Sequence, residues 1–188
     1  MWEEWLKYFS PPEKKAQSPR DDFRYLISEN VISYTEAVLK EYGAIDDGHE
    51  GLVYWAGKRD GNSISINSVI APETISSEGR VTVPPLSNFY VIQCISKAKL
   101  VQLGQVHSHP GKWVGHSYGD DANASFKRDG LLSIVVPSYC FGGMLPLKEC
   151  GIHRYEGHFV RLSKKYIQKH FTITTEKGEL FDLRKRNY

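Results

Sequence analysis

Two histidines stand two residues apart in the stretch GQVHSHPGKWVGHSYGDD, residues 104–121, followed by a proline, a serine and two aspartates. Strand side chains alternate with period two, so His107 and His109 project from one face and both imidazoles can reach one ion. Pro110 cannot donate to a ladder and ends the strand. Catalytic zinc usually takes three protein ligands of histidine and carboxylate type and keeps a fourth position for water. Asp120 is the leading third ligand, since it falls at the start of an expected helix, where a carboxylate also suits the unsatisfied N–H groups. Asp121 is its rival, and bare chemistry does not separate them. The Ser117 hydroxyl has two readings: a donor to a developing oxyanion or a helix cap. Hydrolysis at such a site also needs a carboxylate that moves protons without binding the metal. Glu50, directly before the apolar run GLVYWAG, is best placed. Glu73 and Glu78 are alternatives in a polar stretch. His116 reads as a loop residue rather than a fourth ligand. Trp113 reads as a packing aromatic or a wall of the substrate channel. His153, His158 and His170 read as structural.

These residues need a frame. Trp2, Trp5, Leu6 and Phe9 sit at helical spacing and predict an N-terminal helix, followed by a Pro- and charge-rich linker to residue 20. A strand is expected within residues 23–32. A helix is expected over 33–42, capped by Ser33 with Glu36 three residues on and stopped by Gly43. Residues 51–56 and 63–70 read as a hairpin turning at GKRDGN. Residues 71–85 read as a mobile insertion loop and 88–99 as an amphipathic helix. Residues 101–108 are an expected strand and 120–128 a helix ending before Gly130. Further strands are expected at 131–136, 151–155 and 158–162. The tail from 163 is expected to add one helix and one strand and to finish as a solvated basic end. Helices mixed with mostly hairpin-linked strands favour an α+β fold over a doubly wound sheet.

The 188 residues suit one domain, 1–188, with 1–20 as N-terminal helix and linker and 163–188 as a C-terminal extension. A formal net charge of +2 gives no electrostatic case for nucleic acid or an acidic membrane. The most apolar stretch, LLSIVV with one serine inside it, is far short of the ~20 residues that span a bilayer. Cys94, Cys140 and Cys150 have no CxxC spacing, and an odd number argues against a disulfide framework. Two buried thiols are expected at Cys140 and Cys150, in a cytoplasmic, reducing setting.

His107-Ser108-His109-Pro110 with Ser117-Tyr118-Gly119-Asp120 resembles the JAMM motif of the MPN (JAB/Mov34) metalloproteases. The resemblance spans roughly residues 25–162. The family's spacing from second histidine to aspartate lands on Asp120, its serine on Ser117, and its glutamate and later glycine on Glu50 and Gly57. Two positions depart from the family's usual pattern: Val53 where a glycine is common, and His116 where a proline often precedes the serine. The resemblance implies the MPN fold, similar to cytidine deaminases, with a curved mixed β-sheet flanked by helices. It implies one catalytic zinc per chain on His107, His109 and Asp120, with Glu50 as proton shuttle and Ser117 at the oxyanion. The implied reaction is peptide or isopeptide hydrolysis after the C-terminus of a ubiquitin-like protein. Residues 71–85 fall where the family has an insertion that pins the extended substrate tail. The wider stretch is similar to bacterial members encoded beside ubiquitin-like proteins and E1- and E2-like enzymes, some of them in anti-phage operons. The alternatives are another substrate for the same zinc site, namely a sulfur-carrier precursor or a phage-tail or cell-wall peptide; a RadC-like protein; and a non-catalytic MPN scaffold.

Overall fold

Alternation along residues 52–56 decides the layout. Val53 and Trp55 join one hydrophobic cluster and Leu52, Tyr54 and Ala56 another, and all five are buried. A strand buried on both faces needs a layer on each side. The computed structural model describes residues 15–184 and supplies both layers. It is mixed α+β, with a curled sheet flanked by helices.

Strand β1 (Arg24–Ser28) leads directly into helix α1 (Glu29–Gly43). The cap is Ser28, whose side chain accepts from the Asn30 N–H at 3.2 Å. This corrects the expected start at Ser33. Val31 and Ile32 read as strand residues but lie on the buried face of the helix, and tertiary packing overrides their β propensity. Ser33 sits one turn inside, its hydroxyl donating to the Glu29 carbonyl. Glu36 closes no capping box; it accepts the Met144 N–H at 2.8 Å. Thr35 on the same helix receives the Trp55 indole N–H at 2.8 Å, so this fully buried ring leaves no orphan donor.

Strands β2 (Leu52–Asp60) and β3 (Ser63–Ala71) form the expected hairpin, but the strands run longer and the turn shrinks to Gly61 and Asn62. The β2–β3 register shifts between Ala56 and Gly57. A Cβ at Gly57 would lie 1.9 Å from the Ser65 carbonyl oxygen, so no side chain fits there. The stretch expected as an irregular loop contains a second hairpin, β4 (Ile75–Ser77) and β5 (Arg80–Thr82). Helix α2 (Pro85–Lys97) follows and packs Val91 into the cluster around Tyr54.

Strand β6 (Val101–Ser108) lies inside the sheet, antiparallel to β2 and parallel to β7 (Leu132–Val136). Between them, helix α3 (Tyr118–Asn123) is shorter than expected. Strands β8 (Gly151–Tyr155) and β9 (Phe159–Arg161) extend this side antiparallel. The residues from 163 do more than trail. Helix α4 (Lys164–His170) delivers β10 (Phe171–Thr174) parallel to β1, and β11 (Glu179–Asp182) pairs parallel with β3 beyond the stretch that β1 covers. The order is β10-β1-β3-β2-β6-β7-β8-β9. The expected N-terminal helix and the last four basic-tail residues fall outside the described residues. No helix among the described residues is long and apolar enough to cross a membrane. Cys140 and Cys150 are buried free thiols.

Candidate metal centre

The register places the end of β6 against the start of β2, with Leu52 opposite His107. The Gly51 N–H donates to the Ser108 hydroxyl at 3.0 Å, and the Ser108 N–H returns to the Gly51 carbonyl at 3.1 Å. Beyond the strand, the His109 N–H continues the ladder to the Val136 carbonyl at 2.9 Å. Both imidazoles are therefore held on rigid backbone. Their Nε2 atoms face each other at 3.1 Å.

Asp120 comes from the first turn of α3. Ser117 caps that helix, its oxygen accepting the Asp120 N–H at 3.1 Å, while the Ser117 N–H donates to Asp120 Oδ2 at 2.7 Å. This reciprocal box turns the carboxylate towards the histidines. Asp120 Oδ1 lies 3.3 Å from His107 Nε2, and Oδ2 lies 3.5 Å from His109 Nε2. Tetrahedral zinc with bonds of about 2.05 Å sets neighbouring ligand atoms about 3.3 Å apart. The two Nε2 atoms stand close to that spacing and each faces one oxygen of the Asp120 carboxylate, so the donor set fits a metal ion. The second shell agrees. His109 Nδ1 lies 3.0 Å from the Trp113 carbonyl, which can only accept, so Nδ1 carries the proton and Nε2 presents its lone pair. The Trp113 ring stacks on His109 at 5.2 Å between centroids.

The electrostatics of the metal-free residues follow from burial and mutual charge. Burial works against ionised Asp120, yet His107 and His109 hold its carboxyl well below the usual range. Burial lowers His107, against the pull of Asp120. Burial also opposes the charged form of His109, but Asp120, Glu50 and the Trp113 carbonyl together carry it up.

Glu50 is buried, 5% exposed, at the head of β2. Burial pushes its carboxyl up to about 8; His109 pulls it down and Asp120 pushes it further up. It shares a cleft of about 370 Å³ with His107, Ser117 and Asp120. One wall of the cleft is the β5 side of the second hairpin, from Gly79 to Val83. Glu73 and Glu78 line no part of it. The Glu50 N–H donates to the Ser77 carbonyl at 2.9 Å, tying this residue to the hairpin. Ser117 serves as the helix cap, through an oxygen lone pair. That role does not use the hydroxyl's own proton, which is still able to act as a donor in the cleft.

Asp121 points elsewhere. Its Oδ1 lies 2.8 Å from His116 Nδ1, and His116 Nε2 lies 2.9 Å from the Ser133 hydroxyl. Gln105 donates to the same hydroxyl at 3.1 Å, and His153 stacks on His116 at 3.9 Å. Burial holds the His153 pKa well below the ordinary value. This second network braces the loop that carries Ser117 and Asp120. In the sequence only His116, Asp121 and His153 stand out, each alone; Gln105 and Ser133 carry no signal, and no local spacing links residues 105, 116, 121, 133 and 153. His170 is structural, its Nδ1 facing the Phe23 carbonyl at 2.6 Å, and His158 is exposed.

Two imidazoles and a carboxylate gathered together, with His107, Asp120 and the buried acid Glu50 lining one cleft, make a candidate metal site suited to hydrolysis. No family model matches the chain. It is 31% identical over 117 residues to the probable metalloprotease y4jG of Sinorhizobium fredii, covering 60% of this chain and 70% of that protein. Its fold is similar to the solution structure of protein DSY2949 from Desulfitobacterium hafniense, with a TM-score of 0.59, 16% identity, and coverage of 81% of this chain and 94% of that one. The chain belongs to the same family as this probable metalloprotease.

Proposed function

We propose that this chain is a zinc-dependent peptidase of the JAMM type that cuts after the C-terminus of a ubiquitin-like protein. The observation that carries this is the buried Glu50 carboxyl, which opens onto the same cleft as His107 and Asp120 without belonging to the candidate ligand set of His107, His109 and Asp120. Bound there, zinc would supply a Lewis acid for the scissile carbonyl and would acidify water near neutral pH. Glu50 takes the proton from the attacking water and returns it to the departing amine. Its burial keeps that proton-accepting group near its working range. The Ser117 hydroxyl donates to the oxyanion.

The β4–β5 hairpin supports the substrate class. Among the described residues, β5 pairs only with β4, and residues 80–83 face the cleft. A strand edge of this kind binds an extended peptide by backbone hydrogen bonds. The cleft has room for such a tail but none for a folded domain. The partners on this reading are a ubiquitin-like modifier or its conjugates, and the E1- and E2-like enzymes that attach it. The test uses a ubiquitin-like protein from the same gene neighbourhood, fused at its C-terminus to a reporter, with products read by intact mass. A cut after the modifier's last residue, by wild type and not by Glu50→Gln, is the expected result. Zinc-loaded wild type that leaves every such fusion intact would refute the substrate assignment.

A further inference from the structure

After β7 the chain passes Pro137 and makes a left-handed turn. Ser138, Tyr139 and Cys140 have φ of 53°, 49° and 65°. Three consecutive non-glycine residues in this region are costly, and such strain persists only where the surroundings impose it. The Ser138 N–H donates to the Gly111 carbonyl at 2.9 Å, and the Tyr139 N–H to the carbonyl of the metal ligand His109 at 2.8 Å. The Tyr139 ring lies where a side chain at Gly48 would stand, since a Cβ there would come within 2.5 Å of the ring. Its phenol then donates to the Glu78 carbonyl, between β4 and β5, at 2.8 Å. One residue thus holds the backbone of a metal ligand at one end and the hairpin wall of the cleft at the other.

We infer that Tyr139 is a positioning residue that fixes the β4–β5 hairpin relative to the metal ligands and so sets how firmly a substrate tail is clamped. This rests on the proposed reading of the hairpin as a tail-binding edge. Here the bond reaches the turn of the hairpin, which is also held by the Glu50 N–H to Ser77, His49 to Ser76 at 3.1 Å and Thr74 to Tyr42 at 2.8 Å, while Val81 and Val83 pack against the cluster around Tyr54.

The test is Tyr139→Phe, which keeps the ring and removes only the hydroxyl. Hydrogen exchange needs no substrate. Amides of residues 75–82 are expected to exchange about fivefold faster, the factor that one net hydrogen bond carries, with β6 and zinc content unchanged. With a cleavable fusion, KM is expected to rise by a similar factor while kcat stays within about twofold. Unchanged exchange in the hairpin would overturn the inference, as would faster exchange spread evenly over the molecule or a loss of kcat with KM unmoved. If wild type cuts no fusion, the substrate reading fails and the exchange result alone decides the role of Tyr139.

Discussion

Replacing Glu50 by glutamine should move stability and activity in opposite directions. The carboxyl is 5% exposed and pushed from an ordinary 4.5 up to about 8 by burial. A raised carboxyl pKa means the folded state keeps a proton that the unfolded state has lost. Stability therefore falls as pH rises from about 4.5 and levels off above about 8. At pH 7 the gap corresponds to about 3 kcal/mol, at about 1.4 kcal/mol per tenfold. Glutamine has the same shape and no charge, so metal-free Glu50→Gln should gain little at pH 4.5 and about 3 kcal/mol at pH 7. The assay is denaturant unfolding of chelator-treated protein at several pH values, with wild type and variant compared at each so that the histidines cancel. A divalent cation favours the ionised carboxylate, so restoring metal should shrink the difference. Peptidase turnover of the metal-loaded variant should fall by about 10²–10⁴, with metal content unchanged. A stability difference that stays constant from pH 4.5 to 8 would refute the burial argument. Activity within tenfold of wild type would refute the role of Glu50 as proton carrier.

Asp120→Asn should empty the metal site in metal analysis. Asp121→Asn should keep the metal and lose about 1 kcal/mol of stability, because the bond to His116 comes from a carboxylate 45% exposed. Trp113→Ala keeps the backbone carbonyl but removes the ring stacked on His109, and a chelator competition should read an affinity loss of about tenfold. In Gly151→Ala the new Cβ would come 1.7 Å from the Val114 carbonyl oxygen, which cannot rotate away. The loop before Ser117 must then lift off β8, costing about 3 kcal/mol on unfolding together with metal content. Unchanged melting and metal in this variant would mean that the loop does not rest on β8.

What could be read from the chain was local. The expected strand over residues 101–108, stopped by Pro110, matches β6 in its observed bounds, and the two-residue spacing of His107 and His109 needs only strand geometry. The choice between Asp120 and Asp121 needed the three-dimensional turn at Ser117, because adjacent helical residues point about 100° apart and the sequence does not state the starting angle. Val31 and Ile32 prefer strands in isolation and so predict a later start for helix α1, whereas their burial against the sheet decides here. The three-residue strands β4 and β5 are too short to show a period. β10 and β11 find their partners some 110–150 residues away in sequence, and parallel pairing over that distance leaves no local mark. The His116 network is invisible for the same reason.

The three candidate metal ligands come from a short run of chain, residues 107–120, whereas Glu50 arrives on a separate strand joined to that run through the Gly51–Ser108 pair. On the proposed function, affinity for the ion and the capacity to turn over are thus inherited through different parts of the molecule. Drift at the head of β2 can silence the chemistry and leave an intact ion-binding scaffold, while drift in the loop around Ser117 removes both together. A lineage built on this frame has a short mutational path from enzyme to binding protein, and a long one back once the loop has changed.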